Sequence, residues 1–547
     1  MKKIIKKHYY LIVPFIITII MFFQNIRLAQ VDDNFMMEIA NSFRTNNHSE
    51  FLIFINILFG YIIKFLSNLI PYVNWFAVLY IGIVNAAFIP MYKITQRYSN
   101  KLIFVGILAI LQAVSFFYIT FTIMPFICSA SAILWYIEYV KKIDRHSIKH
   151  ILLCFILFCL GFGMRAGSAF ICIFLMSLPI YLIAVRKREN SVWAIIVIMS
   201  VCILANYGMT GMQKAYKNTI PEDTYFNQFH QYRALLSDGA KIDYEKNKEK
   251  FEAIGITEND MKMYRSYEYA DKTVFSNENL KKIINIRSFS DQYTLNIFEF
   301  PISSRTAAII IIYLFALMLC FIVFKERRKE IALFSLFVLG AMLFLFVRKR
   351  APLRVILPIT IFGIIVLMYI GMQELTKNIK LDHKVKRLGI IIIVVAFLGV
   401  NAANILVNIH IQNSKIDDAD KVIEYVDSNQ DITYVTDERL RWYASPRILT
   451  LKASDNSSPQ PYNIFGDWYV YSNFWYEQLD ELGLSEYRDC TFKAVLEERV
   501  RFVTDEEDVL ERTQIFLQEH YDITSEYVLE ETIGDTSYGV YKFNAIY

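Results

Sequence analysis

From Leu11 to Val407 the chain returns repeatedly to long apolar runs with almost no charge. A helix needs about 20 such residues to cross the hydrocarbon core of a bilayer. Runs at 9–24, 74–92, 102–120, 122–140, 151–163, 167–185, 192–209, 305–324, 331–347, 355–372 and 388–408 predict eleven transmembrane helices. Of the 547 residues, 55% are hydrophobic, above the roughly 45–50% of soluble domains. The N-terminus, "MKKIIKKHYYLIVPFIITIIMFF", has the basic start of a signal peptide, but no small-residue cleavage site follows it. It reads as a retained first helix.

One further apolar run, 51–70, carries Asn56, Lys64, Ser67 and Asn68. Loop charge decides its placement, because cytoplasmic loops collect Lys and Arg. If 51–70 does not span, the cytoplasmic loops hold 23 Lys and Arg, from Lys2 to Arg387. If it spans, every later loop flips and most of these charges move outside. The run is therefore expected as an amphipathic helix at the outer membrane face. The N-terminus is then cytoplasmic, and three segments lie outside: loop 25–73, loop 210–303 and the tail 409–547. The expected fold class is a mainly α polytopic membrane protein with a small extracytoplasmic α/β domain. Its expected domains are 1–408 and 409–547.

The tail from Ile409 holds 28 acidic and 12 basic residues, a net of −16, while the rest of the chain carries +20. An acidic soluble part argues against nucleic acid as a partner. Within the tail, "ADKVIEYVDSN" and "EEDVLERTQIFLQEHY" have helical spacing. "DITYVTD", "RILTL" and "VRFVTD" read as strands, and "EYVLEETIGDTSYGVYKFN" as a terminal hairpin. Six of the seven cysteines fall in apolar runs, and only Cys490 is in a polar region, so no disulfide framework is expected. His146 and His150 have i,i+4 spacing but sit among Lys and Arg, which suits a basic loop better than a metal site.

The positions that break the charge rules carry the functional signal. Asp32 and Asp33 follow the first span directly, in "QVDDNFMMEIANSF". They can cap a helix, since acids suit its positive end, or do chemistry at the membrane surface. "VRKRAPLRVILP" places Arg348, Lys349, Arg350 and Arg354 in a short outer loop, against the positive-inside bias, and Arg165 lies between two short spans at the same face. Charge near hydrocarbon usually has a partner or a task. These cations can pair with the acidic outer segments or with lipid phosphates, or can form a phosphate site, for which arginine geometry is suited.

Taken together, these residues resemble the GT-C glycosyltransferases, multispan enzymes that use lipid-linked sugar donors. An acidic pair follows the first span in the aminoarabinose and protein-mannosyl transferase branches. Here Asp32 falls on the family Asp, Asp33 on its acidic neighbour and Ala40 on the small residue beyond. Run 51–70 falls where the family carries juxtamembrane helices. "RAPLRVILP" resembles the family's late Arg-rich stretch, with Arg354 and Pro358 at the recurrent Arg and Pro. The sequence departs from the family in having Asp33 for Glu and "NHSEF" for an "HPP"-like stretch. Its 210–303 loop is long, and "FNQFHQYRALLSD" and "GITENDMKMYRSYEYAD" within it have no assigned role.

The resemblance implies transfer of a sugar from a polyprenyl-phosphate donor to a cell-envelope acceptor: a polysaccharide, a teichoic acid-type polymer, a lipid or a protein. It makes Asp32 the first choice for the base and Asp33 the second. It gives phosphate binding to Arg354, Arg348 and Arg350, with Lys349 and Arg165 further candidates. Mg²⁺ or Mn²⁺ could neutralise the phosphate, but the arginine cluster makes it less necessary and no DxD motif lies in the outer loops 25–73 and 210–303, so no obligatory metal is expected. A transporter or flippase of lipid-linked saccharides, a polysaccharide polymerase or ligase, and a non-enzymatic assembly protein are the alternatives. Transporters usually gather polar residues at mid-membrane, whereas here they gather at the outer face.

Overall fold

The computed structural model describes residues 2–24, 31–42, 48–98, 101–140, 148–185, 191–217, 223–237, 242–378, 413–429, 431–437, 440 and 462–546. The chain is a polytopic helical membrane protein with a small C-terminal α/β part. Among the described residues, six helices are long and apolar enough to span, one of them broken at Arg165, and four apolar helices are shorter. Ten of the eleven expected spans coincide with helical segments. The eleventh, 388–408, lies outside the described residues, as do His146 and the "RILTL" strand.

The expected pair 151–163 and 167–185 forms one helical stretch, Ile148–Val185, broken at Arg165, whose backbone is extended (φ −164°, ψ 102°). The contacts show that the chain reverses there. Cys154 donates to the Ala132 carbonyl, Arg165 to Thr122 Oγ1, and Cys172 to the Phe126 carbonyl. Along the helix Ile123–Val140 the partners run down to Thr122 and back up. The Phe162 and Phe170 rings accordingly lie 5.3 Å apart.

Two polar clusters pin the bundle. Thr18, Asn85 and Gln112 bond one another mid-bundle. At the end away from Arg165, the Glu138 carboxylate accepts from Tyr98 at 2.5 Å and Tyr369 at 3.0 Å, with Arg97 alongside. Buried polar groups need such partners because hydrocarbon offers none.

The interfacial run is helical only over Ile57–Leu69, 13 residues. At 1.5 Å per residue this is about 20 Å, short of a ~30 Å core. It begins later than expected because Asn56 caps it. Asn56 is also anchored to the Gly163 carbonyl by its N–H and to the Met209 carbonyl by its side chain. Ile57, Phe59 and Ile63 face the protein, while Tyr61, Phe65 and Leu69 are exposed. Gly60 is obligatory here: a Cβ would stand 1.7 Å from the Glu50 carbonyl oxygen.

The C-terminal part contains a four-stranded sheet of order β1-β2-β4-β3, with β1 Thr433–Thr436, β2 Val500–Thr504, β3 Ser525–Thr532 and β4 Gly539–Ala545. β1 and β2 are parallel, and β3 and β4 form the expected hairpin. Helices Asn413–Ser428 and Glu507–Tyr521 stand where the helical spacing puts them. The long loop does not stand apart. Isolated bridges join Glu268 to Gly466 and Asp271 to Cys490. Arg512 pairs with Glu268 at 2.5 Å, and His520 with Asp260 at 2.9 Å. Loop and tail thus form one cap over the first loop.

Candidate functional site

Asp32 and Asp33 open the helix Val31–Ala40 beneath this cap. Adjacent helical residues point about 100° apart, and the two acids meet different surroundings. Asp33 is fully buried. Its Oδ1 accepts from the Tyr80 hydroxyl at 2.6 Å and from the Phe121 N–H at 2.8 Å. Its Oδ2 is buried without a hydrogen-bond partner. Burial outweighs both bonds, and the nearby Asp32 adds to it, so the Asp33 carboxyl is pushed up to about 8. At neutral pH it is largely protonated, and with Oδ1 accepting twice, the proton belongs on Oδ2.

Asp32 turns the other way. Its Oδ2 is 3.0 Å from the Arg354 guanidinium, and the two side chains keep 19% and 25% of their exposure. Arg354 stands in the first turn of Leu353–Asn378. The pair joins chain positions 322 apart and is partly desolvated, where charge attraction is stronger than at an open surface.

Arg165 lies one contact away from Asp33. Its guanidinium donates to Thr122 Oγ1 at 2.9 Å and sits 4.9 Å from the centre of the Phe121 ring, a cation–π arrangement. The turn holding Thr120, Phe121 and Thr122 therefore touches an acid on one side and a cation on the other. The remaining expected cations form a rim. Arg348 is exposed and lies over Tyr293 and Phe344. Lys349 pairs with Glu299 at 3.5 Å, and Arg350 is exposed. Of the five expected cations, Arg354 contacts the acid pair directly and Arg165 reaches it through one turn.

An apolar groove of about 610 Å³ opens on the outer surface of the bundle, its walls largely exposed. Phe170 and Phe174 form one wall, Leu336, Gly340 and Phe344 the other, and Ile359 lies at its base. One wall follows Arg165 in sequence and the other leads to Arg348, while Ile359 is little more than a turn below Arg354.

Several contributors were not expected. Tyr80 and the Phe121 N–H hold Asp33, yet they sit in apolar runs that look merely hydrophobic. Phe54 stacks on Phe121 at 5.2 Å and meets His230 at 5.2 Å and Trp468 at 4.7 Å. These four rings come from the first loop, the turn, the long loop and the tail. Phe35, three residues past Asp32, stacks on Tyr469 at 3.8 Å, which seats the cap on the acidic helix. The only available signal was aromatic density in "FNQFHQYRALLSD" and "FGDWYVYSNFWYEQLD".

Among the described residues, one His/Cys/Asp/Glu group brings three potential metal-ligand atoms within 4.8 Å: Asp260, Glu519 and His520. It lies in the loop–tail contact and includes neither Asp32 nor Asp33. Asp260 already bonds the Thr257 N–H and His520 there.

No protein-family model matches this chain, and no curated protein does. Among solved structures it is similar to ArnT from Cupriavidus metallidurans bound to undecaprenyl phosphate. The identity is 10% over 99% of this chain and 97% of that one, with a TM-score of 0.38. The apo form of the same protein matches at 10% identity and a TM-score of 0.33. Superposition at this level leaves the functional reading to the chain's own geometry.

Proposed function

We propose that this membrane protein is a glycosyltransferase of the GT-C kind. It moves a sugar from a polyprenyl-phosphate donor to a hydroxyl of a cell-envelope acceptor, at the extracytoplasmic face. The observation that carries this is the Asp32–Arg354 pair, a partly desolvated acid and cation brought together from positions 322 apart. The groove suits a prenyl chain, and Arg354 with Arg165 suits the phosphate it bears. Arg348, Lys349 and Arg350 attract the anion at the rim.

The chemistry asks little else. The donor's phosphate is the leaving group. The acceptor oxygen forms a bond to the anomeric carbon, whose bond to the phosphate oxygen breaks, and the acceptor's proton passes to a base. Asp32 takes that proton, and Asp33, protonated and buried, holds the turn that carries Phe121. Without donor, Arg354 engages Asp32. A bound phosphate competes for the guanidinium and frees the carboxylate to act as base. Positive charge at the departing phosphate stabilises the transition state, and no metal is required for this.

Turnover of radiolabelled undecaprenyl-phosphoryl hexoses in membranes with endogenous acceptor checks the assignment. Asp32→Asn should lower transfer by about 10²–10⁴-fold, the usual contribution of a positioned base, with insertion and expression unchanged. Transfer should survive EDTA. Loss that Mg²⁺ restores would overturn the metal-free assignment.

A further inference from the structure

The stretch "FNQFHQYRALLSD" forms part of the helix Asp223–Ser237, and the chemistry above uses none of it. Its His230 is half-buried beside the site. Nδ1 lies 3.2 Å from the Trp468 carbonyl oxygen. A carbonyl can only accept, so Nδ1 carries the hydrogen. Burial, with the cations of Arg233, Lys217 and Arg165 nearby, pushes the imidazole down to about 3. At neutral pH the ring is therefore the uncharged Nδ1–H tautomer, with a bare lone pair on Nε2. Nε2 makes no hydrogen bond among the described residues.

The surroundings of that lone pair are aromatic. Phe54 lies between His230, Phe121 and Trp468, with centroids 4.7–5.2 Å away. Trp468 Nε1 is buried with no hydrogen-bond partner, an unsatisfied donor of the kind native structures rarely keep. Arg165 lies at the edge of this wall, over Phe121.

A lone pair without a proton repels phosphate oxygens and accepts from hydroxyls. Aromatic rings suit the C–H face of a pyranose or furanose, and of Phe54, Phe121 and Trp468 the first alone keeps partial exposure, with Phe121 and Trp468 buried against it. If Arg165 and Arg354 hold the phosphate, the sugar attached to it comes to this cluster, since Arg165 lies over Phe121, on which Phe54 stacks. We propose that His230, beside the partly exposed Phe54, accepts a hydrogen bond from a hydroxyl of the donor sugar and so determines which lipid-linked sugar is used. It rests on the transferase function proposed above, and it gives the long loop and the tail a shared task, donor specificity.

The test compares binding of undecaprenyl phosphate with that of undecaprenyl-phosphoryl glucose, galactose, mannose and arabinose. The full chain is held in lipid nanodiscs. Wild type should bind at least one of the four sugars about tenfold or more tighter than the bare phosphate. His230→Asn keeps a donor toward Trp468 but has no acceptor at Nε2. It should remove most of that sugar-dependent gain and leave bare undecaprenyl phosphate affinity within twofold. His230→Gln, which places an amide oxygen near Nε2, should restore much of the gain. A His230→Asn protein that keeps the full gain overturns the proposal while the transferase function stands, as does a wild type that prefers none of the four sugars. A wild type that binds neither lipid overturns the transferase function itself.

Discussion

Two neighbouring aspartates of identical chemistry end up with different states, and the cause is which way each points. Asp33 faces Tyr80 and the Phe121 N–H in full burial, and Asp32 faces Arg354. An unfolded Asp titrates near 3.9, whereas folded Asp33 titrates at about 8. Between these values the folded state keeps a proton that the unfolded state loses. Stability from this group is therefore fullest below pH 4 and declines as pH rises to 8. Asp33→Asn keeps an acceptor oxygen for Tyr80 and Phe121 and cannot ionise. Its Tm in detergent should fall less between pH 5 and pH 8 than that of wild type, and equal slopes would refute the buried-acid assignment. The acid pair and the misplaced arginines were legible in the sequence, because charge beside hydrocarbon is rare. The contrast between the surroundings of Asp32 and Asp33 was not. It depends on residues 47 and 88 positions away, both within apolar stretches that give no polar signal.

At the scale of elements, the run lengths sufficed for ten of the eleven expected spans, since a span needs a minimum of apolar residues and little else. The reversal at Arg165 follows from two short runs separated by a charged residue and glycines. The hairpin β3–β4 and the helix Glu507–Tyr521 follow from alternation and helical spacing. What the sequence hides is the union of the long loop with the tail. Its contacts link positions as far apart as Glu268 and Arg512, and no local pattern encodes such pairing. Gly466 marks the closest approach: a Cβ would stand 1.4 Å from the Tyr267 carbonyl oxygen. Gly466→Ala must therefore separate the two segments, at a cost of about 1–3 kcal/mol or more by analogy with overpacked cores. Limited proteolysis should cut the variant's 242–300 region faster than in wild type, with the bundle helices still resistant. Equal cleavage rates would mean that the cap is not held together at this point.

At the scale of the whole molecule, a basic bundle and an acidic cap meet, and the acid pair and the aromatic cluster lie where they meet. In the proposed function the groove takes the lipid tail, two arginines the phosphate, and the surface under the cap the sugar. Its centre is the Asp32–Arg354 pair. A cycle of transfer rates tests that centre most directly: wild type, Asp32→Asn, Arg354→Gln and the double variant, each with radiolabelled undecaprenyl-phosphoryl sugar and endogenous acceptor. If the two residues act as one unit, each single variant loses at least about 100-fold and the double is no slower than the slower single. Asp32→Asn transferring sugar at the wild-type rate would contradict the account.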